Sequence, residues 1–295
     1  MNTIQFLKPG DTIGVCAPSA CFDIDTFKDG VQVLQDLGFN IKIPEQIFQR
    51  KRYLAGDDII RARVIMQLFA DPEVDAIISA RGGFGALRIL DYMDWSLMAG
   101  CPKPFIGFSD TTALLLAMID RCDMPVIHGP NLISLACAQN ETIDSFYQTL
   151  TGDDCLKIRL KEEVICPGNA TGILKGGNLS TISHLVGTGF QPDFNQCIFF
   201  MEDIHEPAYK IDRMLMQMKM AGLFDGITGV VTGSFTACEN ETYIPQILTE
   251  IFQDFNIPVL GGLDAGHGSI NLSLVMGTMV QVSSEDLMLS KGISQ

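Results

Sequence analysis

The sequence predicts an α/β fold: a flavodoxin-like, doubly wound parallel-sheet domain followed by a second, smaller α/β domain with a mixed sheet. Three observations carry this expectation. Short apolar runs alternate with stretches of helical periodicity through the first half of the chain. Those runs are almost continuously apolar, as in strands buried on both faces of a parallel sheet. A polar stretch from Thr151 to Gly168 then precedes a further set of strands and helices. The expected organisation is residues 1–150 as the first domain, 151–168 as a linker and 169–295 as the second domain.

Thr12 to Ser19 opens as a strand. Phe27, Val31, Leu34 and Leu37 recur at helical spacing up to Gly38, which tolerates the positive φ that ends helices. Phe39 to Pro44 is a second strand, and Asp57 to Ala70 a helix with Ile60, Val64 and Leu68 on one face. Val74 to Ala80 is a third strand, ending in the glycine-rich turn Arg81-Gly82-Gly83-Phe84-Gly85 before a helical stretch from Leu87. Pro104 to Ser109 is the fourth strand, with its helix from Asp110 to Arg121, and Pro125 to His128 the fifth. In the second domain strands are expected at Gln196 to Met201, Ile227 to Phe235, Ile257 to Leu260 and Leu274 to Val282. Helices are expected at Pro207 to Ala221 and Tyr243 to Phe255.

At 295 residues and 47% hydrophobic content the chain can fill a real core. No run reaches the roughly 18 to 20 apolar residues of a membrane span, and Met1 to Asp11 lacks the pattern of a secretion signal, so a cytoplasmic protein is expected. A formal net charge of −15 without a basic cluster argues against nucleic acid and anionic membranes. A small molecule is the default partner. An anionic one would need local donors such as Arg81 or Lys175. The nine cysteines include no Cys-x-x-Cys pair and read as buried, reduced thiols. With no His-x-x-x-His or Cys/His cluster either, neither metal nor cofactor is expected.

In an open α/β sheet ligands sit beyond the carboxyl ends of the strands, where Ser109 and the Arg81 to Gly85 turn both fall. A serine at a strand-to-helix corner presents its hydroxyl beside the N–H groups that open the helix, which suits a nucleophile. Thr111 replaces the second glycine of the usual Gly-x-Ser-x-Gly elbow, and a helix cap by Ser109 or Asp110 accounts for the spacing equally well. The glycine turn lacks the Gly-Lys-Ser/Thr ending of a phosphate loop. It serves either as a tight turn or as backbone whose N–H groups approach a substrate closely. Glu202 is the first polar side chain after the run Phe199-Phe200-Met201, whereas Asp203 and Glu206 suit capping of the next helix or pairing with Arg213. His267 lies in a glycine-flanked loop, and His128, His184 and His205 read as structural or solvated. Serine, acid and histidine each follow an expected strand, and a serine needs such a base, as the base needs such an acid. A noncatalytic α/β protein that holds a small ligand is the alternative from a different class.

An ordered set of motifs adds to this reading: Ala17-Pro18-Ser19, Arg81-Gly82-Gly83-Phe84-Gly85, Gly107-Phe108-Ser109-Asp110, Gly176-Gly177-Asn178-Leu179, Glu202-Asp203 with Ile211-Asp212-Arg213-Met214-Leu215, and Gly266-His267. Nearly end to end, the chain resembles the LD-carboxypeptidases, serine peptidases that include muramoyltetrapeptide carboxypeptidases and microcin self-immunity peptidases. The resemblance implies Ser109 as nucleophile, Glu202 and His267 as its acid and base, and an oxyanion site of the Asp110 and Gly83 N–H groups. It implies hydrolysis, through an acyl-enzyme, of the L,D peptide bond to a C-terminal D-amino acid, as when murein tetrapeptide becomes tripeptide in cell-wall recycling. The alternative within the family is a peptidase or amidase of the microcin self-immunity type. It further implies a homodimer, with Ser109 on the first domain and Glu202 and His267 on the second.

Overall fold

The computed structural model describes residues 5–152, 157–161 and 163–291. The chain divides into two compact units, one of residues 1–154 with 272–275 and one of 155–271 with 276–295. Both are α/β.

In the first unit β1 (Thr12–Cys16), β2 (Asn40–Lys42), β3 (Ala76–Ser79), β4 (Phe105–Gly107) and β5 (Val126–His128) lie in the order β2-β1-β3-β4-β5, with the strand Leu274–Met276 beyond β5. Every pairing among β1 to β5 is parallel. The order reverses direction at β1/β3, as in a doubly wound sheet. β3, β4 and β5 are buried along their whole length, which is why they read as unbroken apolar runs.

The helix α1 (Ile24–Asp36) begins where the Asp23 carboxylate accepts from the N–H groups of Asp25 and Thr26. Its chain leaves through Gly38 at φ +91°. α2 (Asp58–Ala70) follows, but the stretch from Leu87 is a 3-10 helix, Ala86–Tyr92, ahead of a short α3 (Trp95–Gly100). α4 (Thr112–Cys122) is buried on nearly every side and follows a 3-10 turn at Ser109–Thr111. α5 (Leu132–Leu135) and α6 (Asn140–Thr151) complete the unit.

Within the stretch read as a linker, residues 153–156 and 162 lie outside the described residues. The rest holds β6 (Lys157–Arg159) and β7 (Glu163–Cys166), which form the two edges of the second sheet. Edge strands tolerate charge, so they share the polar composition of a crossing.

The second sheet runs β6-β14-β13-β8-β9-β10-β11-β7. Its centre, β8 (Asn169–Asn178), β9 (Cys197–Ile204), β10 (Gly229–Thr236) and β11 (Val259–Gly261), is parallel. With β12 being Leu274–Met276 of the first sheet, β13 (Met279–Ser283) and β14 (Met288–Lys291) add antiparallel strands on one side, as β7 does on the other. α7 (Leu179–Ser183), α8 (Ala208–Met220) and α9 (Ile244–Phe252) belong to this unit. Between them Phe194, Phe199, Phe224 and Phe252 form a chain of rings with centroids 4.9, 5.5 and 5.0 Å apart.

Several boundaries differ from expectation, and two of them bear on the site and the sheets. Leu274 to Val282 is not one strand, because Gly277 at φ +77° breaks it and its halves join different sheets. β9 runs on to Ile204, so Glu202 and Asp203 stand in the strand rather than after it. The thiols also differ. Cys101 and Cys137 are exposed and Cys21 and Cys166 half-buried, whereas Cys16, Cys122, Cys197 and Cys238 are buried; Cys155 lies outside the described residues. Among the described residues no helix is long and apolar enough to cross a membrane.

On β8, Gly176 pairs with Phe200 of β9. With φ at +149°, a Cβ there would lie 1.7 Å from the Phe200 carbonyl oxygen. Gly176→Ala is therefore expected to lower stability by about 3 kcal/mol or more in urea unfolding. At Gly100 a Cβ would meet nothing within 4 Å, and Gly100→Ala is expected to be neutral or to stabilise by up to about 1 kcal/mol.

Candidate active site

The first unit contributes the Ser109 corner. β4 ends at Gly107 and the chain turns at once into α4, which leaves Ser109 half-buried with φ at +61°, a value that costs a β-carbon residue strain. Neither Ser109 nor Asp110 caps the helix: the residues at both cap positions, Phe108 and Thr111, lack side-chain cap bonds. Asp110 instead turns back, and its Oδ2 accepts from the Ala86 N–H at 2.7 Å. Burial pushes its carboxyl above the usual range, against the Ser19 hydroxyl, the Ala86 N–H and the Arg61 charge.

The glycine turn closes on this corner. A Cβ on Gly82 would lie 2.8 Å from Ser109 Cβ, 2.9 Å from its Oγ and 3.6 Å from the Asp110 nitrogen. Only glycine lets the backbone come so near. Gly83, at φ +102°, is exposed, and a Cβ there would strike Ala20 at 2.8 Å. Arg81 is exposed and donates from Nη1 to the Cys21 carbonyl at 2.7 Å.

In the second unit Glu202 and His267 meet. Glu202, fully buried near the carboxyl end of β9, places Oε2 2.6 Å from His267 Nδ1 and 3.1 Å from the His267 backbone nitrogen. An ionised carboxylate only accepts, so Nδ1 carries the proton and the lone pair falls on Nε2. Glycines make room for the pair. A Cβ on Gly266, at φ +102°, would lie 2.4 Å from Oε2, and one on Gly233 would lie 3.1 Å from the Glu202 Cβ. Gly233 sits in the bulge where the β9–β10 register shifts between Thr232 and Phe235. The Gly266 N–H donates to Asn271 Oδ1 at 2.9 Å, fixing the loop that carries the imidazole. Asn271 was not singled out by the sequence, where it looks like any polar loop residue.

The neighbouring acids have other partners. Asp203 accepts from Asn178 Nδ2 at 2.9 Å, the Ser180 N–H at 2.8 Å and the Ile204 N–H at 2.8 Å, joining the end of β8 to β9. Burial, with Glu202 beside it, raises its pKa to about 6. Glu206 lies 3.4 Å from Lys210, Arg213 stacks on Tyr209, and the residue preceding α8, Pro207, gives no side-chain cap. The expected caps and Arg213 pairs are thus replaced by these contacts. His184 and His205 are exposed and His128 is buried. Lys175 is nearly buried, with Nζ on the Asp193 carbonyl at 2.9 Å. Among the described residues no three His, Cys, Asp or Glu side chains gather as metal ligands.

Family models match both halves of the chain: residues 13–129 as an LD-carboxypeptidase N-terminal domain and 171–282 as an LD-carboxypeptidase C-terminal domain. The chain belongs to the LD-carboxypeptidase family. A probable murein peptide carboxypeptidase of Bacillus subtilis is 32% identical to it, covering 98% of this chain and 94% of the relative. Among solved structures, MccF in complex with glutamyl sulfamoyl guanosine aligns with a TM-score of 0.90 at 25% identity, covering 99% of this chain and 98% of that one. Muramoyltetrapeptide carboxypeptidase from Oxalobacter formigenes aligns with a TM-score of 0.86 at 26% identity, covering 96% and 100%. This LD-carboxypeptidase family member thus shares its two-domain α/β fold with both, and Ser109, Glu202 and His267 fall inside the matched segments.

Burial disfavours the His267 imidazolium, but the Glu202 hydrogen bond and charge outweigh it and raise the pKa above the ordinary 6.5. Because the folded value is the higher one, the stability this pair contributes is fully present below the unfolded pKa. It is lost as pH rises through the folded value. An NMR titration of the ring is expected to show a midpoint above 6.5 in the intact protein. In Glu202→Gln burial acts unopposed by that charge, and the midpoint is expected to fall.

Proposed function

We propose that the protein is a serine carboxypeptidase that cleaves the L,D peptide bond to a C-terminal D-amino acid, converting murein tetrapeptide to tripeptide. The observation that carries this reading is the buried Glu202 carboxylate on His267 Nδ1, 2.6 Å away, which fixes the tautomer a general base requires. His267 Nε2 takes the hydroxyl proton as Ser109 Oγ attacks the scissile carbonyl. The Glu202 charge stabilises the imidazolium that forms. Charge developing on the carbonyl oxygen is met by the Asp110 N–H and a glycine-turn N–H, that of Gly83. The imidazolium then protonates the departing D-amino acid, leaving an ester on Ser109. Water attacks that ester with the same base, releasing the shortened peptide and restoring the hydroxyl. Such substrates are small peptides, a class that fits cell-wall recycling in the cytoplasm by a homodimeric enzyme.

The likeness to MccF, whose solved structure is a complex with glutamyl sulfamoyl guanosine, supports a second substrate class, amino acids linked to a nucleoside-like group. The same attack unit would cut the amide there. Mass spectrometry of parallel incubations with a murein tetrapeptide, its all-L counterpart and an aminoacyl sulfamoyl nucleoside separates the readings. Release of D-alanine from the first alone is the expected result.

Ser109→Ala and His267→Ala are each expected to lower kcat by about a thousandfold or more, and the double variant to lose little beyond either single one. Additive losses, or full turnover in Ser109→Ala, would remove the attack unit. Since only the neutral imidazole accepts a proton, kcat/KM is expected to rise with pH through a midpoint above 6.5. Glu202→Gln is expected to lower both that midpoint and the plateau.

A further inference from the structure

One peptide unit of the first domain is gripped from both sides by charge. The Gly85 carbonyl accepts from Arg61 Nη1 at 3.0 Å, and the N–H of the same peptide, on Ala86, donates to Asp110 Oδ2 at 2.7 Å. Both charged side chains are buried, Arg61 at 2% and Asp110 at 6% exposure. Arg61 is itself held, with Nη1 also on the Pro18 carbonyl and Nη2 on Asp58. Arg88 in turn forks onto Asp58 from Nε and Nη2 at 3.1 and 2.6 Å.

This grip has a direction. If the Gly85–Ala86 peptide rotated by half a turn, its carbonyl would face the Asp110 carboxylate and its N–H the Arg61 guanidinium. Both contacts would repel, in surroundings too dry to screen them. Gly85 has φ +141°, a conformation in which glycine is free to choose, so the orientation needs such an outside constraint. Space tightens it further, since a Cβ on Gly85 would lie 2.8 Å from Leu54 and 2.9 Å from Arg61 Nη1.

The gripped peptide closes the turn whose Gly82 backs onto Ser109, and the residue that grips its N–H directly follows Ser109 in the chain. On the reading of Ser109 as nucleophile, we propose that the Arg61 guanidinium and the Asp110 carboxylate are positioning residues, which lock the Gly85–Ala86 peptide and thereby set the N–H groups of residues 82–84 against Ser109. Neither side chain needs to touch the substrate. The Ala86 N–H, engaged by Asp110, is removed from the donors open to an oxyanion. That task falls to the earlier residues of the turn. Asp110 therefore acts twice, through its backbone N–H and, separately, through its carboxylate.

The test uses the full chain with murein tetrapeptide, comparing Asp110→Ala, Asp110→Asn, Arg61→Lys and Ser109→Ala. Asp110→Ala keeps the backbone N–H and removes the grip, together with the carboxyl's contacts to Ser19 and the Gly85 N–H. Its kcat is expected to fall about 100-fold with KM changed by less than about twofold, because misplaced donors weaken transition-state contacts rather than substrate binding. Asp110→Asn, which retains an acceptor oxygen, is expected to recover about tenfold of that loss. Hydrogen exchange of the 82–86 amides is expected to quicken in the same order, with Arg61→Lys between the two. Undiminished kcat in Asp110→Ala beside an inactive Ser109→Ala overturns the positioning role alone. Unchanged exchange at 82–86 overturns it too. Full turnover in Ser109→Ala overturns the nucleophile reading and this inference with it. Should Asp110→Ala fail to fold, Asp110→Asn and Arg61→Lys decide, and wild-type kcat in both overturns the role.

Discussion

The carboxylate of Glu202 is the constraint around which the second unit's site is built. It lies at the carboxyl edge of a sheet, with no exposure, and its single oxygen Oε2 receives both the ring and the backbone of His267. A buried charge is tolerated only when it is met by donors. The surrounding glycines follow from this. Gly233 and Gly266 are small because the acid and the loop that delivers its partner occupy the same few ångströms. The β-bulge beside Gly233 and the Asn271 bond to Gly266 then hold that loop to the acid.

A different balance governs the first unit. There the fold brings a strained serine to the end of β4 and presses a backbone turn against it, so close that residue 82 has no room for a side chain. Strain of this kind persists only where the surroundings over-determine it. Parallel strands buried on both faces and a helix, α4, buried nearly all round supply that rigidity.

Much of this was legible because burial leaves a mark in the sequence. Unbroken apolar runs announced β1, β3, β4 and β5, and the first polar residue after such a run drew notice to Ser109 and to Glu202. The same logic placed Glu202 one step too late, since nothing in Phe199-Phe200-Met201 says that β9 extends to Ile204. What escaped was polar structure. β6 and β7 are charged because they are edges, and a charged strand of three or four residues resembles a loop. Arg61 sits on a helix amid apolar residues, two positions before Arg63, and an arginine there reads as a solvated charge. Its burial depends on Pro18 and Gly85, far away in the chain, which only tertiary structure reveals. The pairing of Glu202 with His267, 65 residues apart, was suggested by chemistry and motif order rather than by spacing.

The first sheet does not finish within the first half of the chain. Its last strand, Leu274–Met276, arrives after nearly the whole of the second unit has been made, and lies beside β5. A protein shortened to its leading 150 or so residues would therefore lack that neighbour, and the backbone groups of Val126 to His128 would stand open on one flank. During synthesis the ribosome must release most of the polypeptide before this flank is covered, which makes completion of the first unit a late event despite its early start.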